Sequence, residues 1–90
     1  MKVKREVTVI NKLGLHARAS AQLVKLAGTY ASDVQLTFGE LSVDAKNIMG
    51  LMMLAATCGS RIIITAEGED AGQAVERIDA LFSECFGESE

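Results

Sequence analysis

The stretch Asp33-Val34-Gln35-Leu36-Thr37-Phe38-Gly39-Glu40-Leu41-Ser42-Val43-Asp44 decides how this chain folds. Val34, Leu36 and Phe38 fall on one face of a strand, and Asp33, Gln35 and Thr37 on the other, the period of two that marks a half-buried β-strand. Gly39-Glu40 fits a two-residue hairpin turn with glycine in first place. Parity then fixes the pairing. Such a loop sets Phe38 opposite Leu41 and Leu36 opposite Val43, which keeps all four side chains on one face. The expected core unit is an antiparallel sheet with one apolar side.

Working outward from this hairpin, the segments on either side alternate between strand and helix. Toward the C-terminus, Asn47 is a plausible N-cap for a short helix from Ile48 to Leu54. A strand rich in isoleucine follows from Arg61 to Glu67. Asp70 with Gln73 three residues later predicts a capping box for a last helix. Its apolar stripe is Ala74, Val75, Ile78, Leu81, Phe82 and Cys85. The tail Gly87-Glu88-Ser89-Glu90 reads as frayed. Toward the N-terminus, Lys2 to Ile10 alternates as a strand with Val3, Val7 and Val9 on one face. A corner at Leu13-Gly14 leads into a helix from Ala17 to Gly28, where Ser20, Leu23, Val24 and Ala27 recur at helical spacing. The order is β-α-β-β-α-β-α, an α+β fold in which helices cover one face of the sheet and water the other.

Ninety residues are expected to make one domain, 1–90, with one core. Apolar residues make up 49% of the chain but only three Phe and one Tyr are aromatic, so the core must be aliphatic. The net charge of −3, with no Lys/Arg run beyond Lys2, Lys4 and Arg5, argues against nucleic acid as a partner. No apolar stretch has the length of a membrane span and no signal-peptide h-region opens the chain, so membrane insertion is not expected and a cytoplasmic location is. Cys58 and Cys85 lie far apart, and a single histidine gives zinc little to bind. No metal is expected. Cys85 reads as a reduced core thiol, and Cys58 sits before Gly59 in a turn.

That single histidine, His16, stands in the run Asn11-Lys12-Leu13-Gly14-Leu15-His16-Ala17-Arg18. It lies where the first strand pattern ends and the first helical pattern begins. Unsatisfied backbone N–H groups and the positive end of the helix dipole meet there, with Arg18 one step inside. Gly14 permits the tight turn, and Ala17, Arg18 and Ala19 leave room for a bulky anion. A neutral imidazole nitrogen at such a corner can attack a phosphoryl group, and the charge of the product is met by the N–H groups and Arg18. Taken alone, a solitary histidine is more often a capping or packing residue. The helix at 48–54 leaves a second choice open. Leu51 and Leu54 suit a core; Ile48, Met49 and Met52 are either buried too or form an adaptable surface that meets partner proteins.

Three segments together resemble one known family. They are Asn-Lys-Leu-Gly-Leu-His-Ala-Arg-Ala-Ser at 11–20, Ala-Lys-Asn-Ile-Met-Gly-Leu-Met-Met-Leu-Ala-Ala at 45–56 and Ala-Glu-Gly-Glu-Asp at 66–70. Over 6–86 the chain is similar to the HPr family, the histidine-containing phosphocarriers of the bacterial phosphoenolpyruvate-dependent phosphotransferase system. The resemblance implies an open-faced β-sandwich with antiparallel strand order 1-4-2-3 covered on one face by three helices. It implies phosphate carried on Nδ1 of His16, loaded by enzyme I and unloaded by an enzyme IIA of a sugar or nitrogen branch. Arg18 matches the family's active-site arginine, and Ala17 with the N–H groups that follow matches the helix N-terminus that receives phosphate. The implied partner surface joins Ala21, Gln22 and Lys25 to Asn47, Ile48, Met49 and Met52. No cofactor is implied, and a carrier serving two partners in turn is expected to be a monomer. Two positions depart from the common pattern. Ala19 stands where many members have proline and restores a backbone N–H in the first helical turn. Asn47 stands where many carry a regulatory serine; it has no hydroxyl, so regulation by a serine kinase is not expected there. Together with Lys12 and the Phe82/Phe86 ending, Asn47 leans the chain toward the nitrogen-related branch. There, a phosphorylation-switched module that docks on target proteins is the alternative to a carrier.

Overall fold

The computed structural model describes residues 1–89. Its elements are β1 (Lys2–Thr8), α1 (Ala17–Ala27), β2 (Asp33–Phe38), β3 (Leu41–Asp44), α2 (Ile48–Met53), β4 (Arg61–Glu67) and α3 (Ala71–Ser83), followed by a 3₁₀ turn over Cys85–Gly87. The four strands form one antiparallel sheet in the order β1-β4-β2-β3. The hairpin has the register that parity demands, Phe38 opposite Leu41 and Leu36 opposite Val43. Leu36 is fully buried, whereas Leu41, at the end of the edge strand, is 42% exposed.

Helices cover one face of this sheet. Ile62, Ile64 and Ala66 of the central strand β4 point into the core with no exposed surface. Across the sheet they pair with Val7 and Val3 on one side and with Leu36 and Val34 on the other. Above them lie Ala19, Leu23 and Ala27 of α1, Leu51 of α2, and Ala74, Val75, Ile78 and Phe82 of α3. Burying each of the larger aliphatic side chains contributes about 1.5–3 kcal/mol. The opposite face carries the polar partners in the alternation, among them Lys4, Gln35, Thr37, Ser42 and Thr65. Arg5 breaks the apolar face of β1 between Val3 and Val7. Its guanidinium reaches α3, donating to Glu76 at 2.7 Å and Asp79 at 2.9 Å.

Four expectations need correction. The first strand ends at Thr8 rather than Ile10. Val9 leaves the ladder to bond with the other end of the loop, its N–H to Ser60 and its carbonyl to Gly59, and Ile10 is 49% exposed. Asp70 does stand at the N-cap of α3, but no capping box forms. Its carboxylate crosses the molecule to accept hydrogen bonds from the N–H groups of Ala31 and Ser32, both at 2.9 Å, and from Ser32 Oγ. Those bonds hold the Asp70 carboxyl below its ordinary value, the Ser32 hydroxyl first among them. Cys85 is not on the last helix, which stops at Ser83; it is half-buried, and Phe86 takes the core position beyond the helix. Finally, the tail does not splay away: Glu88 is bonded to the body of the protein. Glu90 lies outside the described residues.

Among the described residues no helix is long and apolar enough to cross a membrane.

Candidate functional site

The loop between β1 and α1 is built around two buried residues. Asn11 has no exposed surface, and its Nδ2 donates to the Gly14 carbonyl at 2.9 Å and to Glu88 Oε1 at 3.0 Å. Gly14 has φ +70, and a Cβ there would stand 2.5 Å from the Ala56 carbonyl oxygen. Only glycine lets the loop press this closely onto the 56–57 backbone. The next residue, Leu15, is buried and donates its N–H to that same Ala56 oxygen at 2.9 Å. Its carbonyl accepts from Ser20 Oγ at 3.2 Å. These contacts fix the backbone on both sides of the turn, so the residue after Leu15 enters the helix from a defined direction.

That residue is His16. It is the N-cap of α1, extended at φ −75 and ψ 179, and its carbonyl accepts the Ser20 N–H at 2.9 Å. Its side chain makes no capping bond. Helix geometry therefore leaves the N–H groups of Ala17, Arg18 and Ala19 without partners within the helix. The imidazole is partly covered: 27% of its side chain is accessible, and Nε2 meets Glu88 Oε2. No hydrogen bond to Nδ1 is present among the described residues. The bond to His16 first, then the one to Asn11, holds the Glu88 carboxyl below its ordinary value, and the charge of Arg18 acts in the same sense.

The other expected residues are placed as follows. Ala17 and Arg18 are exposed; Arg18 lines a shallow depression with Lys12, Leu13 and Glu88. The Ala19 side chain is fully buried, so only its backbone can take part in binding. Asn47 caps α2, its Oδ1 accepting the Gly50 N–H at 3.2 Å. On α2 the reading in which the whole helix is buried does not hold. Leu51 and Leu54 are buried, while Ile48, Met49 and Met52 are exposed, with Met53 beside them at 69%. α2 packs against α1. Ala21 is exposed, whereas Gln22 and Lys25 line a groove that α1 shares with α3. Among the described residues no group of three or more His, Cys, Asp or Glu could hold a metal ion. Both cysteines are free.

Asn11 and Glu88 are the site residues that sequence reasoning did not assign. Asn11 stands inside the histidine-bearing run, and a buried amide before a tight turn is the only signal it offers. Glu88 gives none, because an acidic C-terminal residue reads as solvated. The arrangement as a whole offers a partly exposed imidazole, one nitrogen tied to a carboxylate, at an uncapped helix start with cations alongside. Such a place can accept and hold an anion, and a nucleophilic ring nitrogen stands in reach of it.

Comparison with known proteins agrees in both sequence and fold. A family model described as the PTS HPr component phosphorylation site matches residues 3–84. Over 88 residues, 98% of this chain and 99% of the relative, the sequence is 49% identical to phosphocarrier protein HPr of Cupriavidus necator. It is 39% identical to phosphocarrier protein NPr of Shewanella violacea, over 98% of this chain and 97% of that one. Among solved structures, HPr-C-His from Thermoanaerobacter tengcongensis superposes with a TM-score of 0.94 at 33% identity, covering 98% of this chain and 99% of that one. The strand order and the three covering helices implied by the resemblance are those observed. The chain belongs to the HPr family, the phosphocarrier proteins of the phosphotransferase system, which are carriers rather than enzymes with turnover of their own.

Proposed function

We propose that His16 accepts a phosphoryl group on Nδ1 from phosphorylated enzyme I, ultimately from phosphoenolpyruvate, and gives it up to an enzyme IIA. The observation that carries this reading is the half-exposed imidazole at the uncapped start of α1, in a chain whose family model is named for a phosphorylation site. The N–H groups of Ala17, Arg18 and Ala19 and the Arg18 guanidinium receive the phosphate oxygens. Each such end-of-helix charge interaction contributes about 0.3–1 kcal/mol when exposed. That is enough to orient a phosphoramidate and too little to trap it. The exposed Ile48, Met49 and Met52, with Asn47 and the α1 residues Ala21, Gln22 and Lys25, present the histidine to each partner. Unbranched, polarisable methionines suit a surface that must fit two different proteins. In-line transfer needs the reacting atoms within about 3–3.5 Å, which an exposed helix end on a small rigid body allows. We take the chain to act as a cytoplasmic, monomeric, single-domain carrier, without a serine switch because Asn47 has no hydroxyl.

Incubation with enzyme I and phosphoenolpyruvate tests the reading. It should place an acid-labile, base-stable phosphate on the chain, absent from His16→Ala and passed to an enzyme IIA. A label that His16→Ala retains would sink it. The alternative is a phosphorylation-switched regulatory module of the nitrogen branch, favoured by the likeness to an NPr protein. The same incubation separates the two, since a carrier passes its label on quickly and a switch keeps it.

A further inference from the structure

The carrier reading gives the C-terminal residues no task, yet they are built into the site. Past α3 the chain turns through three residues with positive φ: Cys85 at 55°, Phe86 at 54° and Gly87 at 77°. L side chains rarely adopt this conformation. Phe86 anchors the turn, 2% exposed and edge-on to Phe82 with ring centroids 5.0 Å apart. The turn returns Glu88 to the start of α1, where its two oxygens divide: Oε1 accepts from Asn11 Nδ2 at 3.0 Å and Oε2 meets His16 Nε2. Asn11 is itself held by the core, fully buried and bonded to the Gly14 carbonyl. A carboxylate gripped by a buried amide is placed on the histidine by design of the fold rather than by a chance meeting of surface side chains.

An ionised carboxylate can only accept a hydrogen bond, so Nε2 carries the hydrogen in this contact. In a neutral imidazole that leaves the lone pair on Nδ1. We propose that Glu88 is a positioning residue for phosphoryl transfer at His16: it holds the ring in the tautomer with a nucleophilic Nδ1 and balances the positive charge the ring gains on phosphorylation. The proposal rests on the carrier reading above. In the step, the Nδ1 lone pair forms the new N–P bond. The bond from phosphorus to the donor's nitrogen breaks, and its electron pair returns to the donor. Nε2 keeps its hydrogen, so the ring passes from neutral to cationic beside a carboxylate; unloading reverses the same changes. Arg18 from α1 and Lys12 from the preceding loop line the same depression and are both cations, so among the described residues the negative charge facing the ring is that of Glu88.

The test compares the full chain, Glu88→Gln, Glu88→Asp and a chain ended after Gly87. Each is loaded by enzyme I and phosphoenolpyruvate, and hydrolysis of the phosphohistidine is then followed against pH. Without the carboxylate, loading should slow by about three- to tenfold. The pH at which the phosphohistidine becomes resistant to hydrolysis should fall by about half a unit to one unit, because the ring parts more readily with its Nε2 hydrogen. Glu88→Asp, which keeps the charge, should recover part of both effects, and thermal melting checks that each variant is folded. An unmoved hydrolysis profile overturns the proposal, even if loading is slower, since slower loading alone marks a docking role. A wild-type chain that takes no phosphate sinks the carrier reading and this proposal with it. A chain that loads normally and is indifferent to Glu88 sinks this proposal alone.

Discussion

Helices α1 and α2 pack against each other but begin in opposite ways. At α2 the Asn47 side chain turns back onto the Gly50 N–H, closing one of the donors that a helix start leaves open. At α1 the N-cap is His16, whose side chain makes no such bond and reaches Glu88 instead. Length and packing explain why the fold tolerates the difference. α2 has six residues and one of them, Leu51, is buried, so a helix far below the length that is stable alone depends on its cap. α1 has eleven residues and seats Ala19, Ser20, Leu23 and Ala27 in the interior. Its packing can carry a start without a side-chain cap, a device worth about 1 kcal/mol. The open helix end, and with it the place for an anion, lies where tertiary contacts leave stability to spare.

The comparison can be broken most severely from the α1 side. Gly14→Ala puts a Cβ at φ +70 and 2.5 Å from the Ala56 carbonyl oxygen, an obstacle that is backbone and cannot swing away. The strain of a non-glycine residue there costs about 1–3 kcal/mol, and the loop must also retreat from residue 56. A fall of at least that size in unfolding free energy should appear in urea titration. The retreat would also carry His16 with it, so loading by enzyme I should fall in the same variant. At α2 the loss is smaller. Asn47→Ala should cost about 1 kcal/mol and Asn47→Ser almost nothing, because serine caps as well as asparagine. Equal urea midpoints for the alanine and serine variants would show that the cap is idle, and the contrast between the two helices would lose its basis.

The two helix starts also differ in how far the sequence revealed them. Asn47 is a local device: the accepting side chain and the N–H that donates to it lie three residues apart, and such spacing can be read directly. The same holds for the hairpin at 33–44, where a period of two and a two-residue turn leave a single register. It holds for the divided face of α2 once Leu51 and Leu54 are given to the core. What could not be read depends on partners distant in sequence. Asp70 and Gln73 have the spacing of a capping box, but the N–H groups of Ala31 and Ser32 compete for the carboxylate and win it. Glu88 finds His16 across 72 positions, through a left-handed turn that side-chain periodicity does not announce. The apolar stripe of α3 runs on to Cys85 in the sequence for the same reason, because the pattern continues past the point where the backbone leaves the helix.

Smaller effects sharpen the comparison. Arg18 lies in the first turn of α1 and is exposed, so its charge reaches a bound anion through water. Arg18→Ala should slow loading by about two- to fivefold, the rate equivalent of about 0.3–1 kcal/mol, and leave the melting temperature unchanged. High salt should erase the difference between variant and wild type, since the interaction is screened. A loss far beyond tenfold would mean that the guanidinium touches the reacting group rather than lending charge to the helix end.

The third helix start supplies the smallest effect and a control for both others. The Asp70 carboxylate at α3 is bonded to Ser32 Oγ and to the N–H groups of Ala31 and Ser32, and its carboxyl titrates below the ordinary value of 3.8. A carboxyl that binds its proton less readily when folded stabilises the fold above its unfolded pKa. That contribution disappears as the pH falls through the folded value. The melting temperature of the wild type should therefore drop on acidification below about 3.8. Asp70→Asn keeps an acceptor oxygen but has no proton to gain, so its deficit against the wild type should shrink over that window. Glu88 is depressed in the same direction and contributes to the acid slope of both proteins, so it cancels in the comparison. The difference between the two curves then belongs to Asp70 alone. If it stayed constant with pH, the bonds to residues 31–32 would be independent of charge, and α3 would be tied to the β2 approach by shape rather than by its carboxylate.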